Sequence, residues 1–246
     1  MGFEMSTTGT ESMPSDYGDP PVEIDTMRTV FSAVDTSSGA FLVIAVLGTV
    51  AFATSGVMAA AQSGLDWLGA LVLAAVVAVG GGTIRDVVLG NYPISWVDDQ
   101  WPVLVALGTA VVGIVVLRVH PSADPTSTLP YLAADAVGLG AFVVLGTSIA
   151  LQHGTSALIA VILGVVTGVG GGVIRDVFSS RTPIIFVGQV YAVAGTVGAV
   201  AHVALDAVDA RDEITVWVPL VMVVVLRALA VRFDLHLPRV KSGHDA

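Results

Sequence analysis

From residue 40 onward the chain is a series of long apolar stretches separated by short polar joints. Seven stretches stand out, roughly 40–62, 66–90, 102–119, 130–152, 155–179, 188–206 and 214–233. Each is close to the length of about 20 apolar residues that a helix needs to cross the hydrocarbon core. The apolar residues run on without alternation, which argues against the strands of a membrane barrel. The joints carry turn residues: Gln62-Ser63-Gly64, Asn91-Tyr92-Pro93, and His120-Pro121-Ser122-Ala123-Asp124-Pro125. Tyr92, Trp96, Trp101, Tyr131, Tyr191 and Trp217 fall near stretch ends, where aromatic belts form at the membrane–water boundary. The pattern predicts an all-α integral membrane protein with seven transmembrane helices.

Composition narrows the function classes. Of 246 residues, 54% are apolar and 12% are charged, against about 25% charged in an ordinary soluble domain. The mean hydropathy is +0.86. The absence of cysteine excludes disulfides, thiol chemistry and thiolate zinc sites. A net charge of −10 with ten basic residues leaves no basic surface for nucleic acid. Residues 1–38 carry Glu4, Glu11, Asp16, Asp19, Glu23, Asp25 and Asp35 against Arg28, and read as a disordered acidic tail without signal-peptide features. Arg118, Arg181, Arg232, Arg239 and Lys241 collect on one side of the membrane and Arg28 and Arg211 on the other. The richer side is expected to be cytoplasmic, with the N-terminus outside and the C-terminus inside a multi-pass protein of the cell membrane.

Residues 48–97 align with 138–187 at a constant offset of 90, with 22 identities and no gap. The shared block reads Gly80-Gly81-Gly82-Thr83-Ile84-Arg85-Asp86 and Gly170-Gly171-Gly172-Val173-Ile174-Arg175-Asp176, and Pro93 matches Pro183. Three spans per unit is an odd number, so the second unit enters from the opposite face. Two inverted three-helix repeats are expected, over 39–128 and 129–210. A seventh helix over 211–234 and a short tail over 235–246 follow. Inverted repeats are a common plan of transport proteins, with the pathway where the units meet.

The candidate chemistry lies in this block. Three successive glycines remove side chains and weaken a helix, and kinked backbone at membrane depth must face protein or a water-filled cavity. Arg85 and Arg175 follow one turn later, either snorkelling to headgroups or lining a pore. Asp86 and Asp176 point about 100° away on a helix, so neither is an automatic partner of the adjacent arginine. Asp135 lies early in the fourth span where the first repeat has Ala45, either at the interface near Tyr131 or facing a partner. For Arg227, snorkelling is the simpler reading. Asp206 and Asp209 fit an exposed loop. The five histidines lack metal-ligand spacing and read as surface or packing residues. Ser55, Thr54 and Thr147 are candidate hydroxyls for replacing an ion's hydration shell. No metal or cofactor is expected beyond a permeant monovalent cation.

The doubled Gly-Gly-Gly-x-Ile-Arg-Asp, the three-plus-three-plus-one spans and Pro93/Pro183 resemble the prokaryotic TRIC (trimeric intracellular cation channel) family, also catalogued in bacteria as a glycine transporter domain. The resemblance covers about residues 40–233. It implies a homotrimer in membrane lipid with one potassium-favouring pore per subunit, running between the repeats. It places Gly80–Gly82 and Gly170–Gly172 at pore kinks, Arg85 and Arg175 at the family's basic positions, and Asp135 at a polar position near the pore. The lysine-containing variant of phosphoinositide-binding animal members is absent, so that dependence does not carry over. Alternatives are a secondary transporter of a small amino acid such as glycine, and a non-transporting scaffold. An enzyme is disfavoured, because no catalytic constellation is present.

Overall fold

The computed structural model describes residues 39–119, 128–187 and 190–235. The acidic segment 1–38, His120, His236, His244, Arg239 and Lys241 lie outside the described residues. The helices are α1 (Gly39–Gln62), α2 (Trp67–Leu89), α3 (Ser95–Asp98), α4 (Trp101–Val119), α5 (Thr128–Gln152), α6 (Ala157–Phe178), α7 (Ile184–Val187), α8 (Tyr191–Asp206) and α9 (Asp212–Arg232).

Local chemistry marks the ends of these helices. Asp66 starts α2 by accepting from Gly69 N at 2.7 Å, and its repeat counterpart Ser156 starts α6 by accepting from Ile159 N at 3.5 Å. Gly64 and Gly154 adopt φ of 69° and 71°, the left-handed conformation that closes α1 and α5 at low cost.

Six helices are long and apolar enough to cross a membrane, and α8 is a shorter apolar helix. At 1.5 Å per residue, its 16 residues extend about 24 Å. The expected sixth span is therefore shorter than its apolar stretch, because helix α8 begins only at Tyr191. The four-residue helices α3 and α7 follow Pro93 and Pro183 and are too short to leave a periodic signal.

Helices α1, α2, α5 and α6 pack together at the centre. There the repeat-related Phe52 and Phe142 stack with ring centroids 5.1 Å apart. Helix α9 packs on α5 and α8, with Gly140 against Leu220 and Gly198 against Val223. Helix α4 lies outermost. It buries Ala106 and Ala110 against α1 and α2 and leaves Leu104, Val111, Val112 and Val115 exposed.

Candidate functional site

The glycine triplets sit where α2 crosses α6. Helical backbone runs through both of them, so the helices are not broken there. The first two glycines of each triplet lie in close contact with the opposing helix. A Cβ on Gly81 would collide with Thr167 O, and one on Gly171 would lie 2.5 Å from Val77 O. Thr167 and Val77 are themselves repeat counterparts, so the contacts are reciprocal. Gly80 likewise meets Ile174, and Gly170 meets Ile84. The missing side chains bring two backbones together, as in small-residue membrane interfaces. The third glycines differ: Gly82 faces Arg85 and Gly172 faces Arg175, each 3.6 Å from the guanidinium NH2 when a Cβ is added.

Each arginine pairs with the aspartate that follows it, against the expectation from helical geometry. Arg85 donates to Asp86 Oδ1 from Nε at 2.8 Å and from NH2 at 2.6 Å, and Arg175 Nε donates to Asp176 Oδ1 at 2.8 Å. A guanidinium in an apolar bundle needs a buried counter-charge, and its long side chain spans the angular offset. The second carboxylate oxygen has another task. Asp86 Oδ2 accepts from Ser95 N at 2.9 Å and Ser95 Oγ at 2.6 Å, and Asp176 Oδ2 accepts from Ile184 N at 3.0 Å. The motif thus ties each helix end to the chain just beyond the shared proline.

Around Arg175 the pairing grows into a buried cluster drawn from five helices. Arg175 NH1 donates to Asp135 Oδ1 at 2.5 Å and to Ser55 Oγ at 2.7 Å. Tyr191 OH donates to Asp135 Oδ1 at 3.1 Å, and Tyr131 OH to Asp176 Oδ1 at 3.3 Å. The Arg175 guanidinium lies 4.7 Å from the centre of the Tyr131 ring, and that of Arg227 lies 4.5 Å from the Tyr191 ring centre. Arg227 NH2 lies 3.5 Å from Asp135 Oδ2. Two arginines and two aspartates make the cluster formally neutral.

Several expectations change here. Arg175, Asp135 and Arg227 are each at most 1% exposed, so each is enclosed by protein and none reaches out to headgroups. Arg85 is also buried. Tyr131 and Tyr191 leave the predicted aromatic belt for the cluster; an aromatic near a span end looks the same in sequence whether it meets headgroups or a guanidinium. Of the candidate hydroxyls, Ser55 joins the cluster. Thr54 and Thr147 instead donate to Val50 O and Val143 O one turn back, at 2.7 and 2.8 Å. His202 is buried with Nδ1 2.9 Å from Thr215 O, a packing role linking α8 to α9. Asp206 and Asp209 are exposed, as expected. Among the described residues no group of His, Asp or Glu could hold a metal ion.

Comparison with known proteins follows the repeat. The Glycine transporter family model matches residues 42–118 and 132–207, one segment in each unit. The UPF0126 inner membrane protein YadS of Escherichia coli strain K12 is 41% identical over 194 residues, covering 78% of this chain and 92% of YadS. A TRIC trimeric intracellular cation channel orthologue from Rhodobacter sphaeroides superposes with a TM-score of 0.73 at 36% identity, covering 79% of this chain and 98% of that one. A second TRIC cation channel structure superposes with a TM-score of 0.72 at 33% identity, covering 81% and 97%.

Proposed function

The chain belongs to the Glycine transporter family of multi-pass membrane proteins and shares the TRIC fold, and from this premise we propose that it is a monovalent cation channel favouring potassium. Its units 39–128 and 129–210 are inverted repeats of three spans each, and α8 spans as the sixth of seven crossings. The helix over 211–234 stands outside the repeats. Three copies assemble in the lipid of the cell membrane, with N-termini outside and C-termini in the cytoplasm. Each copy has its own pore beside the α2–α6 crossing.

The observation that carries this reading is the neutral charge cluster buried where α1 of the first unit meets α5 and α6 of the second. Burying several charges in an apolar bundle is costly, and intramembrane charges that face protein commonly mark ion pathways. An unpaired arginine in a cation pore repels the permeant ion. Here Arg175 is neutralised by Asp135 and Asp176, so the arrangement acts as a closed gate. Opening requires Arg175 to withdraw and leave Asp135 to attract the cation. Gly82 and Gly172 offer the side-chain-free wall along which it passes. Proteoliposomes loaded with potassium chloride test the reading. With a protonophore present to carry compensating charge inward, an outward gradient should drive potassium efflux that depends on the protein and leaves chloride behind; vesicles that stay tight would overturn it.

A further inference from the structure

Where α1 ends, α2 begins and α4 ends, the three helices leave a cleft of about 430 Å³. Its lining is sorted by depth. Asp66, Trp67 and Arg118 line it at the helix ends, and Val57, Ala61, Ile114 and Leu117 line it further in. Val57 precedes the end of α1 at Gln62 by five residues, and Ile114 precedes the end of α4 at Val119 by five. Each therefore lies about 7.5 Å inside its helix end. All three helices are long and apolar enough to cross a membrane. The polar end of the cleft thus falls at the membrane–water boundary and its apolar part within the hydrocarbon. Trp67 is 63% exposed there, as boundary tryptophans commonly are.

The second unit lacks this set of residues. At the offset of 90, Asp66, Trp67 and Arg118 correspond to Ser156, Ala157 and Val208. The three departures from the repeat meet in one cleft, although Arg118 stands on a different helix from the other two.

Charge restricts what fits. Arg118 is exposed and forms no ion pair among the described residues. A guanidinium can bind a phosphodiester through two parallel N–H bonds. Asp66 is also exposed, and its Oδ1 caps α2 by accepting from Gly69 N at 2.7 Å. Its Oδ2 remains able to accept. A carboxylate in the same cleft disfavours a ligand that offers only negative charge. It suits a headgroup that also brings a hydrogen-bond donor, either a hydroxyl or an ammonium. A quaternary ammonium has no N–H to give it. The apolar walls below suit a hydrocarbon chain.

We infer that this cleft binds one phospholipid, with its phosphodiester on Arg118, a headgroup hydroxyl or ammonium on Asp66, and the start of one chain between Val57 and Ile114. The cleft shares no lining residue with the glycine triplets or with either Arg-Asp pair. Its occupancy depends neither on conduction nor on which face is cytoplasmic.

Native mass spectrometry of the purified full-length protein, titrated from detergent with one lipid at a time, tests the inference. The probes are phosphatidylglycerol, phosphatidylethanolamine and phosphatidylcholine with identical chains. The better of the first two should saturate at one lipid per chain, and its identity tells hydroxyl from ammonium. Phosphatidylcholine should bind at least about tenfold more weakly, the loss expected for one hydrogen bond to a charged group. Arg118→Gln should weaken the preferred lipid by a similar factor. Asp66→Asn keeps an oxygen to cap α2 but puts a donor where the free carboxylate oxygen was. It should bring the preferred lipid down to the level of phosphatidylcholine. Arg232→Gln removes an exposed arginine at the end of another span and should leave binding unchanged. Unfolding midpoints identify any variant that fails to fold. If both cleft variants fail, the wild-type preference over phosphatidylcholine decides alone. Three lipids that bind alike, or without saturation as in annular contact, overturn the inference. So does an equal loss in Arg118→Gln and Arg232→Gln, or unchanged binding in both folded cleft variants.

Discussion

Asp135 is the carboxylate shared by both arginines of the buried cluster. Its Oδ1 accepts from Arg175 and Tyr191, and its Oδ2 faces Arg227 at 3.5 Å. Asp135→Asn leaves two guanidinium groups with a single carboxylate. Breaking a buried pair costs about 3–5 kcal/mol, so the unfolding midpoint in detergent should fall sharply. Tyr131→Phe removes one hydroxyl that bonds Asp176 at 3.3 Å and should cost about 0.5–1.5 kcal/mol in the same assay. Equal losses in the two variants would contradict the cluster's assigned energetics. Arg85, Asp86, Arg175 and Asp176 were legible as candidates because they recur in register. Asp135 was legible as a charge inside an apolar run. The partners were not legible. Pairing of adjacent Arg and Asp depends on burial, and the roles of Tyr191 and Arg227 depend on how α8 and α9 pack against α5.

At the scale of helices, the glycine triplets are an assembly device. Gly81→Ala and Gly171→Ala place a methyl group against opposing backbone, which has no side-chain freedom to yield. Overpacking of this kind costs about 1–3 kcal/mol. Gly108→Ala in α4, with no neighbour within 4 Å, should instead be neutral or gain up to about 1 kcal/mol from helix propensity. Thermal unfolding of the three variants distinguishes them, and tolerance of alanine at both Gly81 and Gly171 would refute the close crossing. Larger substitutions at Gly81 therefore report on folding before they report on conduction. Helix positions were legible because hydropathy and turn residues mark them within one to three residues. Continuity through the triplets was not legible, since a glycine run has the same sequence whether it opens a helix or lets two helices touch. The lengths of α3, α7 and α8 depend on how the chain returns after each proline, which leaves no periodic signature.

For the whole molecule, the repeat carries the architecture and the departures from it carry the chemistry. Asp135 against Ala45, Tyr191 against Trp101, and the unduplicated Arg227 concentrate charge in one half. The outermost helix α4 leaves Leu104 64% and Val112 62% exposed, a surface suited to lipid or to a second copy. Cross-linking in mild detergent should yield a trimer; a clean monomer would contradict the proposed assembly. The central claim is tested most directly by recording purified protein in planar bilayers under a potassium chloride gradient. The account predicts unitary currents whose reversal potential moves toward the potassium equilibrium potential. Silent bilayers, together with saturable glycine uptake by proteoliposomes of the same preparation, would contradict it.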